Sequence, residues 1–286
     1  MCLLWIKICC IMNVLLLYYI LGKNSRGNNR TPEILVNDSR QQVRAFCMTE
    51  DKMRINKYIA AAGICSRRKA DDLVANGNVS INGVPVKEAG AQVNDGDVVE
   101  VNGRVISAAH KNVYVVVNKP LGYITSMNDD RDRATVAELV GDIPERLFPV
   151  GRLDYNTTGL LIMTNDGQLA NKLTHPRHKV YKTYVATVAG VISDTRLAKL
   201  RRGVDIGGFV TSPAKVTLIK QMPRYAVVEI SIREGKNRQV RKMFAAVGNK
   251  VQALQRVAIG DIRLGRLKEG HYRKLRREEI EYLKNL

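Results

Sequence analysis

From residue 53 onward the apolar positions fall into short, regularly punctuated groups, and the spacing within each group predicts an element. Ile55, Tyr58, Ile59 and Ala62 share one face of a helix that Gly63 would stop. Ser66 can cap a second helix that runs from Arg67 to Val74 and ends at Asn76-Gly77. Val79-Ser80-Ile81 and Val84-Pro85-Val86 flank Asn82-Gly83, a two-residue hairpin signal, and Asp95-Gly96-Asp97 turns into a strand from Val98 to Val101. After a hinge at residues 107–112, the run Val113 to Val117 predicts a buried strand, and Asn118 to Gly122 a turn. Leu147 to Val150 and Leu160 to Met163 also read as strands, because four apolar residues between turns are too few for a helix.

The second half continues in the same irregular manner. Gln168 to Leu173 reads as a short helix, and Lys182 to Val188 alternates as a strand with Tyr184, Ala186 and Val188 on one face. Ser193 can cap a helix at residues 195–200, stopped by Gly203. Tyr225 to Ile232 is a strand that leads through Glu234-Gly235-Lys236-Asn237 into a helix at residues 238–247. Residues 251–263 read as further strand and residues 278–283 as a final helix. Strands and helices do not alternate regularly, which argues against a doubly wound parallel sheet. The predicted class is α+β: a small domain at residues 53–107, then a mainly antiparallel sheet with flanking helices at residues 112–286.

The first 52 residues follow a different pattern. Met1 to Lys23 is an apolar run interrupted by Lys7, and residues 24–52 are polar and unpatterned. The run fits a signal peptide without a small-residue cleavage site, a marginal membrane anchor, or a chain whose translation begins later, at Met48 or Met53. The expectation is a disordered or mis-assigned extension, with no membrane association of the mature protein.

Charge narrows the choice of partners. The chain carries a formal net charge of +19 with a pI near 9.9. Residues 53–286 alone retain 39 cations against 23 carboxylates, so the excess does not depend on the extension. Such an excess favours a polyanion, nucleic acid before a membrane surface. Aromatic residues are only 6%, so stacking on successive bases of a single strand is not the expected mode. The five cysteines are Cys2, Cys9, Cys10, Cys47 and Cys65, an odd count with one in the body of the protein. That usage argues for a reducing, cytoplasmic setting without structural disulfides.

Several segments could carry chemistry. Arg67, Arg68 and Lys69 open a helix whose macrodipole disfavours cations there, so phosphate contact is a better reason for them than stability. Gly151-Arg152-Leu153-Asp154 lies in a polar turn between two apolar runs, and by itself fits either a solvated ion pair or a positioned carboxylate. His175 and His178 lack a cysteine or acidic partner for a metal, and Asn165-Asp166-Gly167 reads as a hairpin turn rather than a calcium loop. No glycine-rich phosphate fingerprint is present.

Two resemblances organise these fragments. Residues 63–70 (Gly-x-x-Ser-Arg-Arg-Lys-Ala) and the Val-x-Ile-Asn-Gly hairpin resemble the S-four RNA-binding domain. Behind them come Asn118-Lys119-Pro120-Leu121-Gly122, the Gly151 to Leu161 segment, Lys182-Thr183-Tyr184, and residues 234–244 (Glu-Gly-Lys-Asn-Arg-Gln-Val-Arg-Lys-Met-Phe). In this order they resemble the RsuA-like family of ribosomal-RNA pseudouridine synthases, nearest the RluB-like group acting on the large subunit. The resemblance implies isomerisation of an extruded uridine to pseudouridine, with Asp154 as the catalytic carboxylate. It implies that Arg241 pairs with Asp154 and that Tyr184 stacks on the base and assists proton movement. It further implies that Arg152 holds the place of the displaced nucleotide, while Lys119, Arg238 and Lys242 join Arg67, Arg68 and Lys69 in binding RNA. The reaction is redox-neutral, so neither cofactor nor metal is expected. The expected partner is ribosomal RNA or a ribosome-assembly particle, engaged by a monomer. A non-catalytic ribosome-assembly factor and a nucleosidase are the rival readings. Retention of Asp154 with its companions opposes the first, and the basic accessory domain opposes the second.

Overall fold

The computed structural model describes residues 52–107 and 111–286. The N-terminal segment, and with it the three readings of its apolar run, lies outside the described residues. Among the described residues no helix is long and apolar enough to cross a membrane.

The small domain is built from local signals. In order it contains β1 (Met53–Arg54), α1 (Ile55–Ala61), α2 (Arg67–Ala75), β2 (Val79–Ile81), β3 (Val84–Pro85), β4 (Gln92–Val93), β5 (Val99–Val101) and β6 (Arg104–Ile106). Four strands form an antiparallel sheet in the order β3-β2-β5-β6, and β1 pairs separately with β4. Ile55, Ile59, Ala70, Val74, Val79 and Val99 are fully or almost fully buried, so the two helices close over the sheet through their apolar faces. The Ser66 hydroxyl accepts the Lys69 N–H and caps α2 as its residue type predicts. Asn82 and Gly83 have φ of 52° and 77°, the pair of positive values a two-residue hairpin turn needs.

The larger body is a nine-stranded sheet. Its strands are β7 (Tyr114–Lys119), β8 (Phe148–Pro149), β9 (Thr158–Thr164), β10 (Lys182–Ala189), β11 (Lys215–Met222), β12 (Tyr225–Ile232), β13 (Val251–Ile259), β14 (Ile262–Arg263) and β15 (Tyr272–Lys274). The main path runs β11-β12-β10-β13-β9-β7-β15, with β14 on β13 and β8 on β9. Every pairing is antiparallel except β9 with β13. The helices are α3 (Gly167–Thr174), α4 (Asp194–Arg202), α5 (Gln239–Ala246) and α6 (Arg277–Asn285).

Alternation along the strands divides the core. Val115, Val117, Leu161, Met163, Tyr184 and Ala186 point to one face, which α4 and α5 cover with Leu197, Leu200, Met243 and Phe244. Tyr114, Val116, Leu160 and Ile162 point to the other, covered by Leu169 and Leu173 of α3 and Leu283 of α6. β7 and β9 are therefore buried on both sides, which is why they read as continuous apolar runs. Each such side chain contributes about 1.5–3 kcal/mol relative to exposure.

Two local expectations are corrected. Asn118 and Lys119 continue strand β7 instead of starting a turn, because Asn118 is held by chain 149 residues away: its side-chain amide donates to the Leu267 carbonyl. Asn165-Asp166-Gly167 is not a hairpin turn. Asp166 caps α3 by accepting from the Gln168 and Leu169 N–H groups, while the Asn165 side chain accepts from Val113 N–H.

Candidate active site

The segment that carries Asp154 is short and fixed at both ends. β8 is hydrogen-bonded to β9, and the Val150 N–H donates to the Ile162 carbonyl, so the chain reaches Gly151 from inside the sheet. Gly151 turns with φ of 74°, and Arg152 is exposed while Leu153 is buried. The Asp154 carbonyl accepts the Thr157 N–H, closing a turn that hands the chain to β9.

A threonine outside the sequence motifs grips the residue before Asp154. Thr125 Oγ1 donates to the Leu153 carbonyl at 2.8 Å and accepts from the Leu153 N–H at 3.1 Å. Thr125 is itself steadied by Ile124, which bonds through N–H and carbonyl to Ala134 and Val136. The backbone entering Asp154 therefore has little freedom to swing, and a carboxylate on a rigid support is suited to attack at one atom.

A row of register partners runs across the sheet beside this turn. Lys119 on β7 faces Gly159 on β9, Gly159 faces Arg256 on β13, and Arg256 faces Tyr184 on β10. Gly159 permits the close parallel approach. A Cβ there would lie 2.3 Å from the Arg256 carbonyl, and its φ is 105°. Lys119 is fully buried, with Nζ donating to the Pro120 carbonyl at 2.8 Å. Burial pushes its pKa down to about 8, against the opposing pull of the Glu269 and Asp154 carboxylates. Arg256 is also buried, its Nε donating to the Leu160 carbonyl at 2.7 Å and one terminal nitrogen lacking a partner. Lys182 lies near enough for burial and the Arg256 charge to lower its pKa.

Tyr184 belongs to the same apolar cluster as Leu153, is 9% exposed, and faces Arg256 across the sheet. Arg241, on α5, comes to the turn from the helix side. Its guanidinium donates to the Asn156 carbonyl at 2.5 Å and to the Val251 carbonyl at 3.2 Å. Burial lowers its pKa, the Arg238 charge adds to that, and the Asp154 carboxylate works in the opposite direction. The side chains of Arg241 and Asp154 do not form a contact ion pair, since the guanidinium is occupied by the two carbonyls. Arg241 thus reaches Asp154 through its field and through the backbone two residues further on.

The approach to α5 is organised with equal care. The Glu234 carboxylate accepts from Ser212 N–H at 2.9 Å, from the Ser212 hydroxyl and from the Gln239 amide, and these bonds hold its pKa down despite burial. Arg238 then precedes the helix in the left-handed region at φ of 51°. Arg238 and Lys242 are exposed, and Arg238 and Arg241 line a groove of about 380 Å³ that also holds Lys250. Arg67, Arg68 and Lys69 belong to the small domain and are exposed, with Arg67 donating to the Asn56 side chain at 3.3 Å.

The structure therefore sets Asp154 in the field of Lys119 and Arg241, places Tyr184 opposite Arg256 in the sheet, and leaves Arg152, Arg238 and Lys242 on the surface. Sequence reasoning missed Thr125, Lys182 and Arg256. The last two had a signal, since each is a cation at the core-facing parity of its strand, in step with Tyr184 and Leu254 respectively. Among the four buried side-chain atoms without a hydrogen bond in the described residues, three belong to Thr157, Arg241 and Arg256 and the fourth to Asn118, beside Lys119. Unpaired buried polar atoms are costly, and their collection around one turn is a mark of a functional site. No group of three or more histidine, cysteine or acidic side chains with metal-binding geometry occurs among the described residues.

Known proteins resemble this chain over both domains. Residues 113–246 match the model of the RNA pseudouridylate synthase family, and residues 53–99 match that of the S4 (S-four) domain. The chain is 42% identical over 234 residues to an uncharacterised RNA pseudouridine synthase of Aquifex aeolicus, covering 81% of this chain and 94% of that protein. It is 42% identical over 235 residues to the ribosomal large subunit pseudouridine synthase B of Bacillus subtilis, covering 82% and 96%. A crystal structure of a pseudouridylate synthase superposes with a TM-score of 0.59 at 34% identity, covering 81% of this chain and 99% of that one.

Proposed function

The chain belongs to the RNA pseudouridylate synthase family, and from that premise we propose that it isomerises uridine to pseudouridine in ribosomal RNA of the large subunit. In this reaction the bond from C1′ to N1 of the uracil breaks, the base turns, and C1′ bonds to C5. The C5 proton leaves and N1 gains one, so no redox partner is needed. The observation that carries the reading is the Asp154 turn, gripped through Leu153 by Thr125 and set in the field of two half-buried or buried cations, Lys119 and Arg241. Those cations supply positive potential beside a carboxylate in a site that bound RNA would close to water.

Asp154 is the catalytic carboxylate, acting at the sugar or the base of a uridine drawn out of its stack, an extrusion that costs a few kcal/mol. Tyr184 lies against the extruded base, and Arg241 holds the turn and the charge. Lys119 is buried, so its part is electrostatic support of Asp154 instead of direct contact with phosphate. Arg152, Arg238 and Lys242 meet the RNA backbone, and Arg67, Arg68 and Lys69 of the small domain add affinity. The working units are residues 53–107 for RNA grip and 112–286 for chemistry, in a cytoplasmic monomer without a cofactor. Retention of a fully supported Asp154 disfavours a non-catalytic assembly factor.

Asp154→Ala should abolish tritium release from rRNA labelled at uridine C5 while leaving RNA affinity within about twofold. Turnover by that variant at the rate of the native protein would overturn the assignment.

A further inference from the structure

We propose that the groove between β14, β15 and the start of α6 is a second RNA-backbone site, one that takes the phosphates of the strand flanking the target uridine. The proposal rests on the pseudouridine synthase reading and extends it to a surface outside the Asp154 turn. The groove encloses about 500 Å³, and its lining includes five cations against two carboxylates.

The two carboxylates, Asp261 and Glu279, leave an excess of three cations, and Glu279 is already engaged. Both Glu279 oxygens accept from Arg273, at 2.7 and 2.8 Å, and one of them also accepts the Arg276 N–H at 2.9 Å. These bonds hold the Glu279 pKa down to about 2, so this acid is ionised but already committed. Arg263, Arg266 and Lys274 are exposed and make no ion pair among the described residues. Arg276 stands 3.6 Å from Glu279 with its side chain 74% exposed. Arg273 supports the fold through Glu279, but Arg263, Arg266 and Lys274 make no such bond and repel one another round one concavity, so the fold gains little from those three. An anionic chain with repeating phosphates satisfies them, and the arginine forks match phosphate oxygens.

The groove is also wired to the catalytic floor. The loop at residues 264–271 leaves its rim and bonds to the end of β7. The Leu267 carbonyl accepts from the Asn118 amide at 2.8 Å, the Gly270 N–H donates to the Asn118 carbonyl at 2.9 Å, and Glu269 accepts the Leu121 N–H at 3.0 Å. Lys119, next to Asn118, is the buried cation that feels Asp154. A strand lying in the groove would therefore be held by a rigid link to the turn where its neighbour reacts.

The test replaces Arg263, Arg266 and Lys274 together with Gln. Binding to an unmodified transcript of the large-subunit rRNA is then measured from about 50 to 300 mM KCl. Three lost phosphate contacts should lower the slope of log affinity against log salt by about two to three, with roughly tenfold or more weaker binding at low salt. Arg277→Gln, on α6 and paired with Glu281 outside the groove, should leave the slope unchanged. All four side chains are exposed, so an unchanged melting temperature verifies folding in each case. A triple variant with the native slope overturns the proposal, as does an Arg277→Gln effect of the same size. Tritium release by the native protein on the same transcript reports separately on the isomerisation. Release with an unchanged slope refutes the groove alone, whereas a reduced slope without release leaves the groove standing and refutes the synthase reading.

Discussion

The cations of the small domain and those buried beside the Asp154 turn use positive charge in opposite ways. In the small domain Arg68 and Lys69 stand in solvent at the start of α2, where water already satisfies them and salt screens them. In the catalytic body Lys119 and Arg256 are buried in the sheet, where they bond to backbone carbonyls and Lys119 feels the nearby carboxylates. An exposed cation costs the fold almost nothing and contributes affinity for any phosphate within reach. A buried cation is destabilising, yet its field at a neighbouring carboxylate is far stronger than water would allow. The comparison teaches that RNA grip should respond to salt and turnover to pH, with little cross-talk.

The sharpest way to break that contrast is Lys119→Met, which keeps length and removes the charge. Because burial sets the folded-state pKa at about 8, below the ordinary lysine value of 10.5, the unfolded chain binds more protons between those values. Stability of the native protein should therefore rise with pH across that window, and activity should fall above pH 8 as Asp154 loses a cation. The variant should lose roughly tenfold or more of kcat at pH 7, lack the alkaline fall in rate, and melt no lower than the native protein. A retained alkaline limb would show that Lys119 is not its source.

Thr125→Val tests whether the grip on Leu153 matters to turnover. Two hydrogen bonds at about 1 kcal/mol each imply a loss of up to about thirtyfold in kcat, with KM nearly unchanged. Thr125→Ser, which keeps the hydroxyl, should recover most of it. An equal loss in both variants would mean packing, not the hydrogen bonds, supports the turn.

The smallest effect is expected on the other side of the comparison. Replacing Arg67, Arg68 and Lys69 with Ala should weaken RNA binding several-fold at moderate salt and flatten its salt dependence, with kcat on saturating RNA unaltered. Arg67 also donates to Asn56, which itself bonds Asp71, so Arg68 and Lys69 should carry most of the slope. A change in kcat without a change in slope would erase the distinction between the two regions.

How much of this was legible in the sequence follows the same divide. The small domain announced itself because its determinants are local: Ser66 at a cap, Asn82-Gly83 at a hairpin, and Ile55 and Ile59 one turn apart. The strand β12 and the parity of Tyr184 were equally plain, since period-two burial is written into β10 and β12. Asn118 and Lys119 were misread because their strand character is imposed from outside the segment, by pairing with Leu160 and Gly159 of β9 and by the Asn118 backbone bonds to Gly270 and His271. β11 escaped notice because it is an edge strand whose residues are mostly exposed, so it lacks an apolar alternation to read. Asp154, Arg241 and Lys119 could be chosen as candidates, but not their relation. Arg241 spends its guanidinium on Asn156 and Val251 carbonyls, a consequence of how α5 meets β13 that no local pattern contains.

The central claim is that this chain makes pseudouridine in large-subunit rRNA. The most direct measurement is a map of pseudouridines in rRNA from cells with and without the gene. A large-subunit uridine modified in the first sample should be unmodified in the second, and the Asp154→Ala gene should fail to restore it. Identical maps from the two cells would contradict the claim.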